Sequence, residues 1–169
     1  MYNLTDVGSR DNITILYLMP IYDSKFKLST LRQADSKRDD MWLLSRLDHL
    51  WSNYFSDVTQ DNPIFIAFGR YSKFRLGSIK FDRSNKKSYI TITSMFKDPA
   101  IPVEVVDHTI AHELCHYTHG FSSPKAQLHK YPHSGGVIQR ELAERNLQYL
   151  SKAYREWVKD YREILRASR

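Results

Sequence analysis

The pentapeptide His-Glu-Leu-Cys-His at residues 112–116 constrains this chain more than any other feature. In an α-helix, His112 and His116 lie one turn apart on the same face, so both imidazoles can bind one metal ion. Glu113 lies about 100° around the helix from His112, close enough to hold a water on that metal without being a ligand. Two ligands, a general base and an open coordination position are what a zinc peptidase needs. The motif therefore predicts a helix and one catalytic Zn²⁺ at the same place.

The residues around the motif support the helix. Apolar side chains recur at spacings of three and four and leave the histidine face free; they are Val103, Val106, Ile110, Leu114 and Tyr117. Pro102 suits the first turn of such a helix, and Gly120 suits its end. Cys115 falls on the side away from the histidines, where we expect a small core residue.

A catalytic zinc usually has three protein ligands, so one more must follow the motif. The candidates share a position downstream and a side chain that binds zinc; they are His119, His129, His133, Glu141 and Glu144. We favour His133, because it lies at the junction of a loop and a helix and is followed by two glycines that allow close backbone approach. Glu141, on the following helix, is the alternative.

Composition limits the class of protein. The chain has 169 residues, enough for one domain with a proper core, and 41% of them are hydrophobic. The longest apolar run, residues 13–19, is too short to span a bilayer, and no secretory leader is recognisable. The single cysteine excludes a disulfide framework and a cysteine-ligated zinc ribbon. We expect a monomer in the cytoplasm, or at the nucleoid or nucleus if it associates with DNA, without membrane contact.

The net charge of +6 is concentrated in one segment. Residues 70–97 contain eight basic residues and only one acidic residue, Asp82. The members that we take as candidate nucleic-acid contacts are Arg70, Lys73, Arg75, Lys80, Lys86 and Lys87. Such a basic hairpin suits a polyanionic partner, with DNA the first candidate. The alternative is a lysine-rich sheet edge that discourages aggregation.

The remaining patterns predict an α+β domain over residues 39–169, with residues 1–38 as an N-terminal extension. A helix is expected at 40–58, with Asp39 or Asp40 as its N-cap. Strands are expected at 64–68, 76–81 and 89–93, the last two forming a hairpin, and an extended segment at 13–19. A loop at 118–133 leads to a long C-terminal helix that begins near Ser134 and breaks around residues 146–151.

Several of these segments together resemble the SprT-like family of zinc metallopeptidases, which includes the Spartan-type proteases. Residues 75–79, Arg-Leu-Gly-Ser-Ile, look like the family's Arg-Leu-Gly strand, and residues 90–93 look like the strand that follows it. Residues 102–116 look like the motif helix. Pro132-His133-Ser134-Gly135 looks like the element that supplies the third ligand, although Ser134 stands where family members often have glycine. The resemblance covers residues 40–150, a catalytic domain without a zinc ribbon.

The resemblance implies a zincin-like fold: an N-terminal helix, a small three-stranded sheet, the metal helix and a long C-terminal helix. It also implies a zinc metalloendopeptidase with protein or peptide substrates. For the Spartan-type branch it implies DNA repair by cleavage of proteins crosslinked to DNA. The alternative is a basic nucleic-acid-binding domain whose zinc is structural or vestigial.

Catalysis would need two further elements. Glu113 would take a proton from the attacking water and pass it to the leaving amine. A donor would stabilise the negative charge on the scissile carbonyl, with Tyr117, Tyr131 and Arg75 as candidates. The strand at 89–93, if it lies at a sheet edge, could pair with an extended substrate.

Overall fold

The structure is a computed structural model, and it describes residues 37–167. Within them, four α-helices and one three-stranded sheet form an α+β arrangement. The elements in chain order are α1 (Asp40–Tyr54), β1 (Ile64–Phe68), β2 (Gly77–Asp82), β3 (Lys87–Ile92), α2 (Val103–Thr118), α3 (Val137–Glu144) and α4 (Gln148–Ala167). Short 3₁₀ turns at Ser94–Lys97 and Ser134–Gly136 precede α2 and α3. The predicted α+β class is confirmed. The expected segment at 13–19 lies outside the described residues, as does nearly all of the expected N-terminal extension.

The sheet is mixed, with the strand order β1-β3-β2. β3 pairs with β1 in parallel and with β2 in antiparallel fashion, so the predicted hairpin of β2 and β3 is present. The expectation that residues 89–93 form an edge strand is wrong, because β3 lies in the centre with both of its edges paired. The edges of the sheet are β1 and β2. Any strand that added to the sheet next to the motif helix would have to pair with β2.

Helix α2 is the central element of the fold. It contacts the sheet on one side and α1, α3 and α4 on the others. Eleven of its 16 residues are buried, including Cys115, as predicted for a small core residue. Such a helix is stable only because its apolar side chains are covered on several faces. Its histidines therefore sit on a rigid, well-packed support.

The end of helix α1 differs from the predicted one, and its start agrees with the prediction. α1 ends at Tyr54 and not at Val58, because the chain turns at Phe55 and the Val58 N–H donates to the Phe55 carbonyl at 2.9 Å. This turn places both side chains in the core. At the start of α1, the Asp39 side chain accepts a hydrogen bond from the Trp42 N–H at 3.0 Å, which makes Asp39 the N-cap.

The C-terminal helix is broken, as the sequence predicted, and the break lies between α3 and α4. Asn146 has a φ of 60°, and the Leu147 N–H donates to the Leu142 carbonyl. Arg145, at the same break, binds Asp57 and the Tyr54 carbonyl, which anchors α3 to the end of α1. Among the helices of residues 37–167, none has both the length and the hydropathy that a membrane crossing requires.

Strand β2 approaches α2 most closely at Gly77. A Cβ at this position would lie 2.6 Å from Thr109 Cγ2 and 2.8 Å from Glu113 Oε1. Both distances are shorter than any normal contact, so only glycine fits without movement of the helix or the strand. The Arg-Leu-Gly segment thus has a physical reason for its glycine.

We expect Gly77→Ala to destabilise the fold by about 1–3 kcal/mol, the usual cost of forcing a methyl group into a packed contact. Thr109→Ser removes the methyl group nearest to the new Cβ while keeping the hydroxyl that donates to the Val105 carbonyl. A double-mutant cycle measured by urea unfolding should therefore give a favourable coupling between Gly77→Ala and Thr109→Ser.

Ser78→Ala, one residue along the same strand, serves as the control and should change stability by less than about 0.5 kcal/mol. A Gly77→Ala protein as stable as Ser78→Ala would contradict the close approach of β2 to α2.

Candidate metal centre

Three histidines come together at one end of α2. His112 and His116 project from the same face of the helix, and their Nε2 atoms lie 3.1 Å apart. His133 approaches from the loop before α3, with its ring centroid 5.2 Å from that of His112 and 4.7 Å from that of His116. One nitrogen from each ring lies within 4.8 Å of the others. The sequence singled out these three histidines, and the structure places them together.

The local backbone explains how His133 reaches the helix. It is the last residue before the 3₁₀ turn Ser134–Gly136, and the next two glycines have φ values of 65° and 70°. Side-chain-bearing residues rarely adopt this left-handed region, so Gly135 and Gly136 allow the chain to reverse direction directly after His133. The reversal turns α3 back alongside α2.

The donor set suits a zinc ion. Nitrogens bound to one tetrahedral zinc at about 2.0–2.1 Å lie about 3.4 Å from one another. The separation of 3.1 Å between His112 and His116 is close to this value. Among residues 37–167, no other group of three or more histidine, cysteine or carboxylate side chains is arranged to hold a metal ion. The group found among residues 37–167 thus offers three imidazole nitrogens as ligands.

Burial keeps two of the three imidazoles neutral. Burial first, and then the neighbouring His108 and His133, together lower the pKa of His112 to about 4. Burial first, and then His112, His133 and His119, together lower the pKa of His116 to about 3. A neutral imidazole has a free lone pair, which is the form that binds a metal.

Glu113 lies beside His112, His116 and His133, which we call the triad, and its side chain is largely buried. Burial raises the pKa of this carboxyl to about 7, while the positive charge of Arg75 and a hydrogen bond from the Ile79 N–H act in the opposite direction. Ile79 belongs to β2, and Arg75 lies two residues before that strand. The approach of β2 therefore determines the electrostatic environment of Glu113 as well as its position.

The candidate Glu141 is engaged elsewhere. Its Oε2 lies 3.3 Å from His119 Nε2, and its Oε1 accepts from Arg145 Nε at 2.8 Å. His119 is almost completely buried, and the ring of His129 packs against it at a centroid distance of 4.7 Å. Glu144 is exposed and lines a different cavity. Of the five candidates for the third ligand, only His133 joins His112 and His116.

A cavity of about 410 Å³, which we call the site cavity, opens next to the triad. It lies between β2, α2 and the loop that follows α2. Its lining residues are Arg75, Gly77, Ser78, Ile79, His112, Glu113, His116, Phe121, Ser122, Pro132 and His133. The loop thus borders the cavity.

Hydrogen bonds fasten the first part of that loop to the sheet and to α2. Ser122 Oγ donates to the Ile79 carbonyl, and its own carbonyl accepts from Ser88 Oγ at 2.9 Å. Ser123 Oγ donates to the Tyr117 carbonyl at 2.7 Å. Lys125 forms an ion pair with Asp61 at 2.9 Å. These bonds fix the wall of the site cavity that faces β2.

The three candidates for the oxyanion donor are separated by the structure. The expectation that Tyr117 could be this donor is wrong, because the residue is fully buried. Its hydroxyl already donates to Asn62 Oδ1 and accepts from the Asp61 N–H, both at 2.9 Å. Tyr131 is exposed and does not line the site cavity. Arg75 lines the site cavity together with Glu113.

The basic residues of segment 70–97 do not form one surface. Arg75 turns toward the site cavity. Lys80 lies opposite Tyr89 on the outer face of the sheet, and Lys86 and Lys87 lie at the hairpin turn. Arg70 and Lys73 are exposed in the connection between β1 and β2. Residues that form one basic segment in the sequence therefore lie in three different places in the structure.

Sequence reasoning missed three residues close to the triad: His108, Tyr154 and Arg155. His108 lies one turn before His112, and its ring stacks on Tyr154 of α4 at a centroid distance of 4.2 Å. The spacing of four from His108 to His112 was a signal that could have been used. The contact with α4 is nonlocal and has no counterpart in the sequence pattern.

None of the family models, curated proteins and solved structures compared with this chain matches it.

We expect His133→Ala to lower zinc affinity by more than about 100-fold, since losing a ligand costs more than losing a residue that only supports one. Zinc content after dialysis, measured by atomic emission, checks this. Glu141→Gln should keep its zinc and instead lose about 1–3 kcal/mol of stability, because its partners His119 and Arg145 are largely buried. Zinc that survives His133→Ala but not Glu141→Gln would overturn the assignment.

Proposed function

We propose that this protein is a zinc metalloendopeptidase of the SprT-like family with a zincin-like fold. The observation that carries the proposal is the convergence of His112, His116 and His133 beside Glu113, at the wall of an open cavity. A purely structural metal does not require a buried carboxylate next to its ligands. A hydrolase does, because the carboxylate manages the protons of the reaction.

A zinc ion held by the three imidazoles would supply Lewis acidity and lower the pKa of a coordinated water toward about 7. Glu113 takes the proton of the attacking water on its carboxylate and delivers it to the amine that leaves. Arg75 lines the same cavity and is the donor best placed to stabilise negative charge on the scissile carbonyl. The neighbouring Ile79 N–H holds the Glu113 carboxylate in position.

The substrate runs along β2, the edge strand that borders the site cavity. At Ile79 the outward backbone groups are already occupied, since the N–H binds Glu113 and the carbonyl accepts from Ser122 Oγ. An extended peptide therefore pairs with β2 on the Gly77 side of Ile79. Because Gly77 has no side chain, Glu113 comes close to this part of β2 and therefore to a peptide that pairs with it.

A nucleic-acid-binding function is the second candidate, and the outer face of the sheet favours it. Phe65, Tyr89 and Lys80 lie side by side across the three strands, and the rings of Phe65 and Tyr89 stack at a centroid distance of 5.5 Å. Lys87 Nζ lies 5.3 Å from the centre of the Phe65 ring. Aromatic rings flanked by lysines can stack on bases and bind phosphates without reading sequence. Such a surface could bring the peptidase to proteins that are bound or crosslinked to DNA.

We expect Glu113→Gln to keep zinc and fold but to lose hydrolysis by about 10²–10⁴-fold, the usual contribution of a general acid–base group. The measurement is cleavage of casein, with and without single-stranded DNA. Glu104→Gln is the matched control, because Glu104 is exposed in the first turn of the same helix. A wild type that is inert in all these conditions while fully loaded with zinc would favour the binding-domain alternative.

We expect the triple change Lys80→Glu, Lys86→Glu and Lys87→Glu to abolish binding to single-stranded DNA while sparing zinc. Binding of the wild type should be independent of sequence and fall steeply with salt, because phosphate contacts release counterions. Fluorescence anisotropy of labelled oligonucleotides measures the affinity and its dependence on sequence and salt.

The control for this experiment is Lys152→Glu, Lys159→Glu and Arg162→Glu on α4, which changes the net charge by the same amount. Equal losses of binding in both triple variants would point to net charge alone. Unchanged binding of the variant of Lys80, Lys86 and Lys87 would show that the outer face of the sheet does not bind DNA.

A further inference from the structure

A second cavity, which we call the side cavity, also adjoins the triad. The contact between β2 and α2 at Gly77 separates it from the site cavity. Its volume is about 330 Å³, and its walls come from α2, α3, α4 and the segment that leads into β2. Gly77, His112 and Glu113 line both this cavity and the site cavity. The two cavities therefore meet where the proposed bond cleavage takes place. A space of this size and position can receive a whole side chain of a bound peptide.

The walls of the side cavity are partly apolar. Leu76, Ile138 and Leu142 contribute aliphatic surface, and the stacked rings of His108 and Tyr154 form another part of the wall. Burial, followed by the charge of Arg155, lowers the pKa of His108 to about 4, so its ring is neutral at physiological pH. Neither ring supplies a full charge. The aliphatic part of a long side chain could pack here.

The charged groups of the side cavity are almost all positive. Arg75 lines it from the segment that leads into β2, and Arg155 lines it from α4. The only carboxylate among the residues that line it is Glu113, which the proposed mechanism already uses. A divalent metal on the histidines would make the field still more positive. Two guanidiniums beside a single carboxylate at a partly apolar cavity favour a ligand with a carboxylate at the end of an aliphatic chain.

We propose that the side cavity is a specificity pocket that selects a glutamate side chain next to the peptide bond to be cleaved, with Arg155 as the residue that recognises its carboxylate. This inference rests on the proposed peptidase function. Arg155 is assigned this role rather than Arg75, because Arg75 also acts on Glu113. Arg155 is exposed and lies on α4, whereas Glu113, His112 and His116 lie on α2 and His133 in the loop before α3. Replacing Arg155 therefore leaves Glu113 and the histidines in place.

The test uses the zinc-loaded protein and two sets of peptide hydroxamates, which bind through the metal and are not turned over. Within each set the compounds differ in one side chain, Glu, Gln or Lys, placed before the chelating group in one set and after it in the other. Affinities are measured by calorimetry. We expect Glu to bind about tenfold more tightly than Gln in one of the two sets, the size of one good charge-assisted contact at a partly solvated site, and Lys to bind most weakly.

The decisive comparison is between Arg155→Glu and Lys152→Glu, two charge reversals on the same helix. Lys152 is exposed and does not line the side cavity. Arg155→Glu should remove or reverse the preference for Glu, and Lys152→Glu should keep it. Equal affinities of the wild type for Glu and Gln in both sets, or an unchanged preference in Arg155→Glu, would overturn the proposal.

Cleavage of a peptide library, mapped by mass spectrometry, separates this inference from the proposed function. Cuts enriched in glutamate on one side of the bond, absent in Glu113→Gln and shifted in Arg155→Glu, would support both. Cuts without that enrichment would overturn the specificity pocket and leave the peptidase. A wild type that makes no cuts would overturn the peptidase, while the hydroxamate affinities would still decide whether the side cavity prefers an acidic side chain.

Discussion

At Gly77 the backbone of β2 lies directly against α2, with no side chain between them. This contact brings the Ile79 N–H and the charge of Arg75 to the Glu113 carboxylate. It also divides the space near the triad into the site cavity and the side cavity, both of which Gly77 lines. A larger residue would push the strand from the helix and move Glu113. The position of the proposed base, its ionisation and the shape of its surroundings all depend on this one close approach.

A second constraint holds the opposite side of the triad in place. Glu141 is held between His119 and Arg145, and Arg145 also binds Asp57 at the end of α1. Glu141, His119 and Arg145 are largely removed from solvent, where a polar side chain without a partner is costly, whereas Asp57 is exposed. The network ties the end of α2 and helix α3 to α1. It therefore supports the chain on either side of the loop that carries His133. It also keeps Glu141 away from His112 and His116.

Local patterns predicted most of the elements. The apolar spacing around residues 103–117 gave the limits of α2 closely, because that helix is regular and its ends carry Pro102 and Gly120. The strands were found within one or two residues of their places. The order of the strands was not predictable in this way: β3 alternates like an edge strand, yet it lies between β1 and β2. Alternation reports that a strand has two different faces, whereas its neighbours depend on how the whole chain is connected.

The sequence by itself determined the chemistry that we propose for this chain. His112, Glu113 and His116 share a helix turn by virtue of their spacing alone, and His133 could be singled out by the glycines after it. Only the tertiary structure decided which residues share a cavity. It buried Tyr117, paired Glu141 with His119, placed Lys80 and Arg75 in different surroundings, and set Arg155 beside His108. Spacing along a helix is fixed by local backbone geometry, but contacts between helices and strands depend on the packing of the whole domain.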